Sequence, residues 1–145
     1  MRRYPHLLPQ DAALWQFHLD HNPDLYSQIY YDVHVGDGRD PGDSFDPHIR
    51  RMAIQLSQRR IDAVAYTPQL IYIIEVTATT GLTAIGQLHA YPTLYQARFH
   101  PDRPLSPLLI TAEFSSDTQR VFDELRIPYI IYPDFTYQPQ PEQPS

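Results

Sequence analysis

Residues 59–77 read RRIDAVAYTPQLIYIIEVT, and this stretch decides the fold. Two runs rich in β-branched and aliphatic residues, Arg60–Tyr66 and Leu70–Thr77, flank the turn signal Thr67-Pro68-Gln69, which predicts a β-hairpin. Each strand carries one carboxylate inside its apolar run, Asp62 in the first and Glu75 in the second. An ionised carboxylate buried without a partner is very unfavourable, so both need a physical reason to be there. A loop with an even number of residues pairs Thr67 with Leu70. In the same register it sets Asp62 opposite Glu75, with Cβ atoms roughly 5 Å apart. An odd loop would send the two carboxylates to opposite faces. On the even register, Arg60 and Thr77 form the next pair along the same face.

Two carboxylates this close repel, and either a shared proton or a cation relieves them. Mg²⁺ suits such a pair, because it takes oxygen ligands at about 2.1 Å and keeps water in its remaining positions. The alternative is structural: Arg60, two residues from Asp62, reaches the pair with its guanidinium fork and forms a metal-free ion network.

Working outward, Asp11–His21 reads as a short helix capped by Asp11, with Ala13, Leu14, Phe17 and His18 on one side. Tyr30–Gly36 is a strand, Asp37–Pro47 a loop by its Gly, Pro and Asp content, and His48–Gln58 a short helix. Thr80–Phe99 is helical, with Leu82, Ile85, Leu88, Tyr91 and Tyr95 as its apolar stripe. Pro92 inside it is expected to kink or split it, and Gly86 is expected to mark close packing of helix on sheet. Leu105–Phe114 is a core strand, Ser116–Arg126 an amphipathic helix and Ile127–Tyr132 a last strand. The order predicts one α/β domain over residues 1–132, with a mixed central sheet flanked by helices. Residues 133–145 form an extended Pro-rich tail that cannot build a core.

Composition narrows the function. The chain has 145 residues, 42% of them hydrophobic and 19% charged, which is enough for a globular core. It has no cysteine, which excludes disulfides, thiolate zinc and a cysteine nucleophile. All eleven basic residues are arginine, so chemistry that needs a lysine amine is missing or supplied by another chain. The net charge of −6 lowers the expectation of a broad phosphate-binding face. No run approaches the ~20 apolar residues of a membrane span, and the N-terminus lacks the apolar stretch of a signal peptide. The expected location is the cytoplasm, or a particle assembled there.

The sequence Asp62, then Glu75-Val76-Thr77 after a hairpin, then Gln87 and Tyr91 on the following helix, resembles the PD-(D/E)XK nuclease superfamily. The stretch from about Tyr30 to Tyr132 carries the likeness, and the phrasing RRIDAVAY, YIIEVT and AIGQLHAYPTLY is similar to small members borne by tailed phages. The resemblance implies a restriction-endonuclease-like fold with the core at 30–132. It implies Asp62 and Glu75 as Mg²⁺ ligands, the Val76 carbonyl as a backbone ligand, and Gln87 and Tyr91 as the helix pair lining the site. Thr77 stands where the family has the lysine that positions and activates the attacking water, and threonine lacks the charge for that work.

Among the other candidates, His18 and His21 are one turn apart without a metal-binding frame, so a solvent-facing pair is expected. His89 is read as a surface residue. Arg50-Arg51 and Arg59-Arg60 could form a phosphate-contacting face, but are read as a solvated face paired with the acidic 37–46 loop. Phe135 and Tyr137 are read as anchors, and Pro139 and Pro141 as a stiff spacer, that dock the tail on a neighbouring subunit. Two functions follow. The first is a non-catalytic subunit of nuclease fold, structural or nucleic-acid-associated, in a large oligomeric complex such as a phage particle, with no cofactor required. The alternative is a Mg²⁺-dependent deoxyribonuclease with an altered third motif position.

Overall fold

In the computed structural model, which describes residues 4–139, the hairpin is the centre of the sheet. The elements run α1 (Pro9–His21), β1 (Gln28–Val35), α2 (Pro47–Ser57), β2 (Arg59–Tyr66), β3 (Ile71–Thr80), α3 (Thr83–Phe99), β4 (Leu105–Phe114), α4 (Ser116–Leu125) and β5 (Tyr129–Ile131). The five strands lie in sequence order. β1, β2 and β3 are antiparallel neighbours, and β3, β4 and β5 are parallel. Helices α3 and α4 make the crossovers that parallel strands require. This is the mixed α/β sheet that the sequence predicts.

Alternate residues of the central strands feed two faces. On one face Ile74, Val76, Leu108 and Ile110 pack against Leu14 and Trp15 of α1. On the other, Ile71, Ile73 and Val64 meet Tyr91 and Tyr95 of α3, and Leu109 meets Leu88 of α3 and Phe122 of α4. The hairpin turn is Pro68-Gln69, closed by the Thr67 N–H donating to the Leu70 carbonyl at 2.9 Å.

Three local expectations are corrected. Asp11 does not cap α1. The helix begins at Pro9 behind Leu8, which makes no side-chain cap, and Asp11 is buried. Its inward stripe is Asp11, Leu14, Trp15 and His18, at the i, i+3, i+4, i+7 spacing of one helix face. Pro92 does not split α3, which runs unbroken from Thr83 to Phe99. Gly86 is exposed, and a Cβ there would meet nothing within 4 Å, so close packing on the sheet is not its reason.

Candidate metal site

The β2–β3 ladder has the even register, pairing Tyr66 with Ile71 and Ala63 with Ile74, so the next positions along are Asp62 and Glu75. Backbone pairing stops there. Val76 and Ala78 then point their N–H groups at an edge that β2 no longer covers, and two carboxylates take over. Asp62 Oδ2 accepts from the Val76 N–H at 2.9 Å, and Asp11 Oδ1 accepts from the Ala78 N–H at 2.8 Å. Each supplies the acceptor that the missing strand would have offered. In a strand the N–H and C=O of one residue leave on the same edge, so the Val76 carbonyl also faces this gap.

Asp62 and Asp11 therefore have structural work to do. Glu75 has less. It is only 6% exposed, and its Oε1 is buried without a hydrogen-bond partner. The Asp62 and Glu75 carboxyl groups are close enough that each disfavours the other's ionised form. Burial first, and then the Asp62 charge, push the Glu75 carboxyl up to about 10. Burial also raises Asp62, opposed by the bond from Val76. Asp11 is raised by burial and further by Asp62. Both carboxyls of the pair are thus driven towards the protonated form.

Arg60 does not neutralise this pair. Its Nε donates to Asp32 Oδ1 at 2.7 Å, and its second prong goes to Asp32 Oδ2. The reason is a break in alternation. Ala63 and Tyr31 pack on the α1 side, whereas Ile61 and Val33, two residues away on the same strands, pack on the α3 side. Asp32, at φ 52°, is where β1 turns over, and aspartate is one of the few side chains that tolerates this conformation. The switch takes Arg60 off the site face and brings Arg59 towards it, where the Arg59 charge lowers the Tyr91 hydroxyl. The arginine-neutralised network expected as the structural alternative is not formed.

Gln87 and Tyr91 both lie on α3, Gln87 half-buried and Tyr91 buried. Burial and then the Glu75 charge raise the Tyr91 hydroxyl, with nearby Gln87 opposing and a smaller push from Asp62. Thr77 lies two residues beyond Glu75 on β3, and its hydroxyl donates to the Thr79 carbonyl at 3.0 Å. Among the described residues no group of three or more His, Asp or Glu side chains is arranged to hold a metal. What the site offers is Asp62, Glu75 and the Val76 carbonyl. That donor set fits Mg²⁺, which is commonly held by one or two carboxylates and completes its shell with water and substrate phosphate.

The remaining candidates divide. Arg50 is paired with Asp40 and Asp43 of the acidic loop, as expected, and His89 is exposed. His18 is not solvent-facing. It is fully buried between the hydroxyls of Tyr132 at 2.6 Å and Tyr26 at 2.8 Å, and burial lowers it to about 4. Phe135, read as an anchor for another subunit, packs on the α1-side core of its own chain, 5.4 Å from the Phe17 ring. Tyr137 is 38% exposed, and residues 140–145 of the tail lie outside the described residues. Sequence reasoning missed Asp11 and Asp32 as neighbours of the site. The polar members of the α1 stripe were the available signal for Asp11.

No helix among the described residues is long and apolar enough to cross a membrane. No family model and no curated protein matches the chain. Two solved structures are similar to it. One is AF1548, a protein of unknown function, at TM-score 0.51 and 15% identity over 86% of this chain and 58% of that one. The other is EndoMS in a complex with double-stranded DNA, at TM-score 0.48 and 12% identity over 91% of this chain and 48% of that one. The chain thus spans about half the length of these two proteins, and its likeness to AF1548 is one of fold.

Proposed function

We propose that the chain is a divalent-cation-dependent phosphodiester hydrolase acting on nucleic acid, with Asp62, Glu75 and the Val76 carbonyl as the cation's protein ligands. One observation carries this reading: Glu75 is buried beside Asp62 with a carboxylate oxygen that nothing in the chain satisfies. A buried polar atom without a partner costs about 1–3 kcal/mol, and an ion pair with Arg60, which would offset that cost, is not formed. A bound cation would supply the missing partner, displace the proton and polarise a phosphoryl oxygen. Tyr91 and Gln87 would orient the phosphate and its water. Thr77 has given its only proton to Thr79 and carries no charge, so turnover is expected to be slower than with an amine there, by about 10²–10⁴-fold.

The test is cleavage of labelled linear, circular and single-stranded DNA in Mg²⁺ or Mn²⁺, run beside calorimetric titration of Mn²⁺. Slow cleavage that disappears in Asp62→Asn and Glu75→Gln, with Mn²⁺ binding lost in Glu75→Gln, is the expected result. Mn²⁺ binding that survives Glu75→Gln sinks the assignment.

A further inference from the structure

Helix α3 carries Gln87, Tyr91, Tyr95 and Phe99 at successive i+4 positions, so they lie along one face. The first two belong to the carboxylate site. The last two line a cavity of about 360 Å³ with Tyr30, Val33, Tyr66 and Pro101. Tyr30 and Tyr66 meet edge to face at 5.8 Å, and the Tyr66 and Tyr95 hydroxyls are hydrogen-bonded at 2.8 Å. Tyr30 and Phe99 leave 47% and 46% of their surface open.

Two independent rulers place this cavity relative to the site. Along α3, Tyr91 to Phe99 is about 12 Å at the helical rise. Along β2, Asp62 to Tyr66 is about 13 Å at the strand rise. Both tracks lie on the α3 side of the sheet, where Val64, Tyr66, Tyr91 and Tyr95 share one apolar cluster. Stacked bases advance ~3.4 Å per step, so the separation corresponds to on the order of three nucleotides.

Two arginines lie against the rings that line the cavity. The Arg98 guanidinium lies 5.4 Å from the Phe99 ring centre, and that of Arg103 lies 5.4 Å from the Tyr66 ring centre. Arg103 is held there by the Thr67 carbonyl at 2.8 Å and by Asp102 at 3.3 Å. Half-exposed aromatic rings such as Tyr30 and Phe99, flanked by arginine, are the combination on which unpaired bases stack while the backbone follows the positive charge.

We infer that the Tyr30–Tyr66–Tyr95–Phe99 cavity holds one unpaired nucleobase, on the order of three nucleotides from the phosphate at Asp62 and Glu75, so that the substrate is a nucleic acid with a single-stranded segment. This rests on the hydrolase reading for the placement of that phosphate, and on the cavity alone for the base.

The experiment measures anisotropy of a fluorescein-labelled 15-nucleotide single strand, without metal to prevent cleavage, against the full chain and its Tyr30→Ala and Phe99→Ala variants. Both side chains are half exposed, so folding is retained, and circular dichroism checks it. Each variant is expected to bind the strand about 5- to 100-fold more weakly, with the affinity for a blunt duplex of the same sequence unmoved. An abasic nucleotide walked along the strand is expected to reproduce the loss at one position. Unchanged single-strand binding in both variants overturns the inference, as does tighter binding of a proline-rich peptide than of the strand. Single-strand binding lost in Phe99→Ala together with absent cleavage in Mg²⁺ keeps the base cavity and discards the hydrolase. Cleavage of duplex by Phe99→Ala at the parent rate, with single-strand binding unmoved, does the reverse.

Discussion

Arg60 grips Asp32 with both prongs of its guanidinium, across the point where β1 and β2 change faces. The pair lowers the Asp32 carboxyl and takes Arg60 away from the Asp62–Glu75 pair. Half of the Arg60 side chain is exposed, so solvent screening leaves the ion pair itself little weight. The backbone of Asp32 matters more, because at φ 52° a β-branched residue is strained. Asp32→Asn is therefore expected to cost little, and Asp32→Val roughly 1–3 kcal/mol beyond that. Urea unfolding of the two variants measures the difference, and equal midpoints would mean that the turnover at Asp32 stores no strain.

Glu75 predicts a pH dependence with a definite sign. Its carboxyl is raised in the fold from 4.5 to about 10. The folded state then holds a proton that the unfolded chain has lost, so stability is fully present below about 4.5 and falls as pH rises towards 10. The slope is at most about 1.4 kcal/mol per pH unit. Glu75→Gln, which keeps the size and cannot ionise, is expected to flatten that fall and to raise the melting temperature at pH 8. Mg²⁺ at pH 8 is expected to raise the melting temperature of the parent chain and not that of Glu75→Gln. A parent stability that stays flat between pH 5 and 9 would show that Glu75 is ionised in the fold.

Much of this was legible before any coordinates. The β-branched and aliphatic runs on both sides of Thr67-Pro68-Gln69 gave the hairpin, and the even register that sets Asp62 opposite Glu75 was one of the two the loop allowed. Helical spacing put Gln87 and Tyr91 on one face of α3. What escaped was every place where a polar residue takes a buried structural role. The α1 stripe runs through Asp11 and His18, so a hydrophobic pattern reads the wrong face and misses Trp15. Strict alternation puts Arg60 beside Asp62, and only a positive φ at Asp32, which no pattern encodes, turns it away. The tail composition correctly denies Pro133–Tyr137 any helix or strand, but composition does not reveal that Phe17 offers Phe135 an intramolecular seat.

His18 titrates in the opposite sense to Glu75 and in a different window. Burial lowers it from 6.5 to about 4, so the fold prefers the neutral ring. The unfolded chain takes up the proton first, and stability is lost as pH falls from about 6.5 towards 4, by at most about 3 kcal/mol. The ring also satisfies the Tyr26 and Tyr132 hydroxyls, so truncation would remove two hydrogen bonds along with the titration. His18→Gln keeps a hydrogen-bonding group without the ionisation. It is expected to be less stable than the parent at pH 7 and to show a shallower loss between pH 6.5 and 4. A loss of the same depth in both proteins would assign the acid sensitivity to other groups.

Thr77→Lys tests what limits the chemistry. Thr77 is two residues from Glu75 on the same strand, and its hydroxyl is committed to the Thr79 carbonyl. It is part-buried at a position paired with Thr111 of β4, so the four-carbon stem of lysine has a neighbouring surface to lie along while its ammonium extends towards the carboxylates. There the ammonium would have two effects. It would lower Glu75 by placing an opposite charge beside it, so that less proton competes with the cation. It would also hold and polarise the attacking water, a contribution of about 10²–10⁴-fold. Mg²⁺-dependent cleavage by Thr77→Lys is therefore expected to exceed that of the parent chain by at least about tenfold, with its pH optimum moved to lower pH. The gain must vanish when Glu75→Gln is added to Thr77→Lys, because the lysine acts only through the cation and water that Glu75 holds. A gain that survives in the double variant would place the reacting phosphate elsewhere. An unchanged rate in the single variant would show that activation of water at this position is not what slows the site.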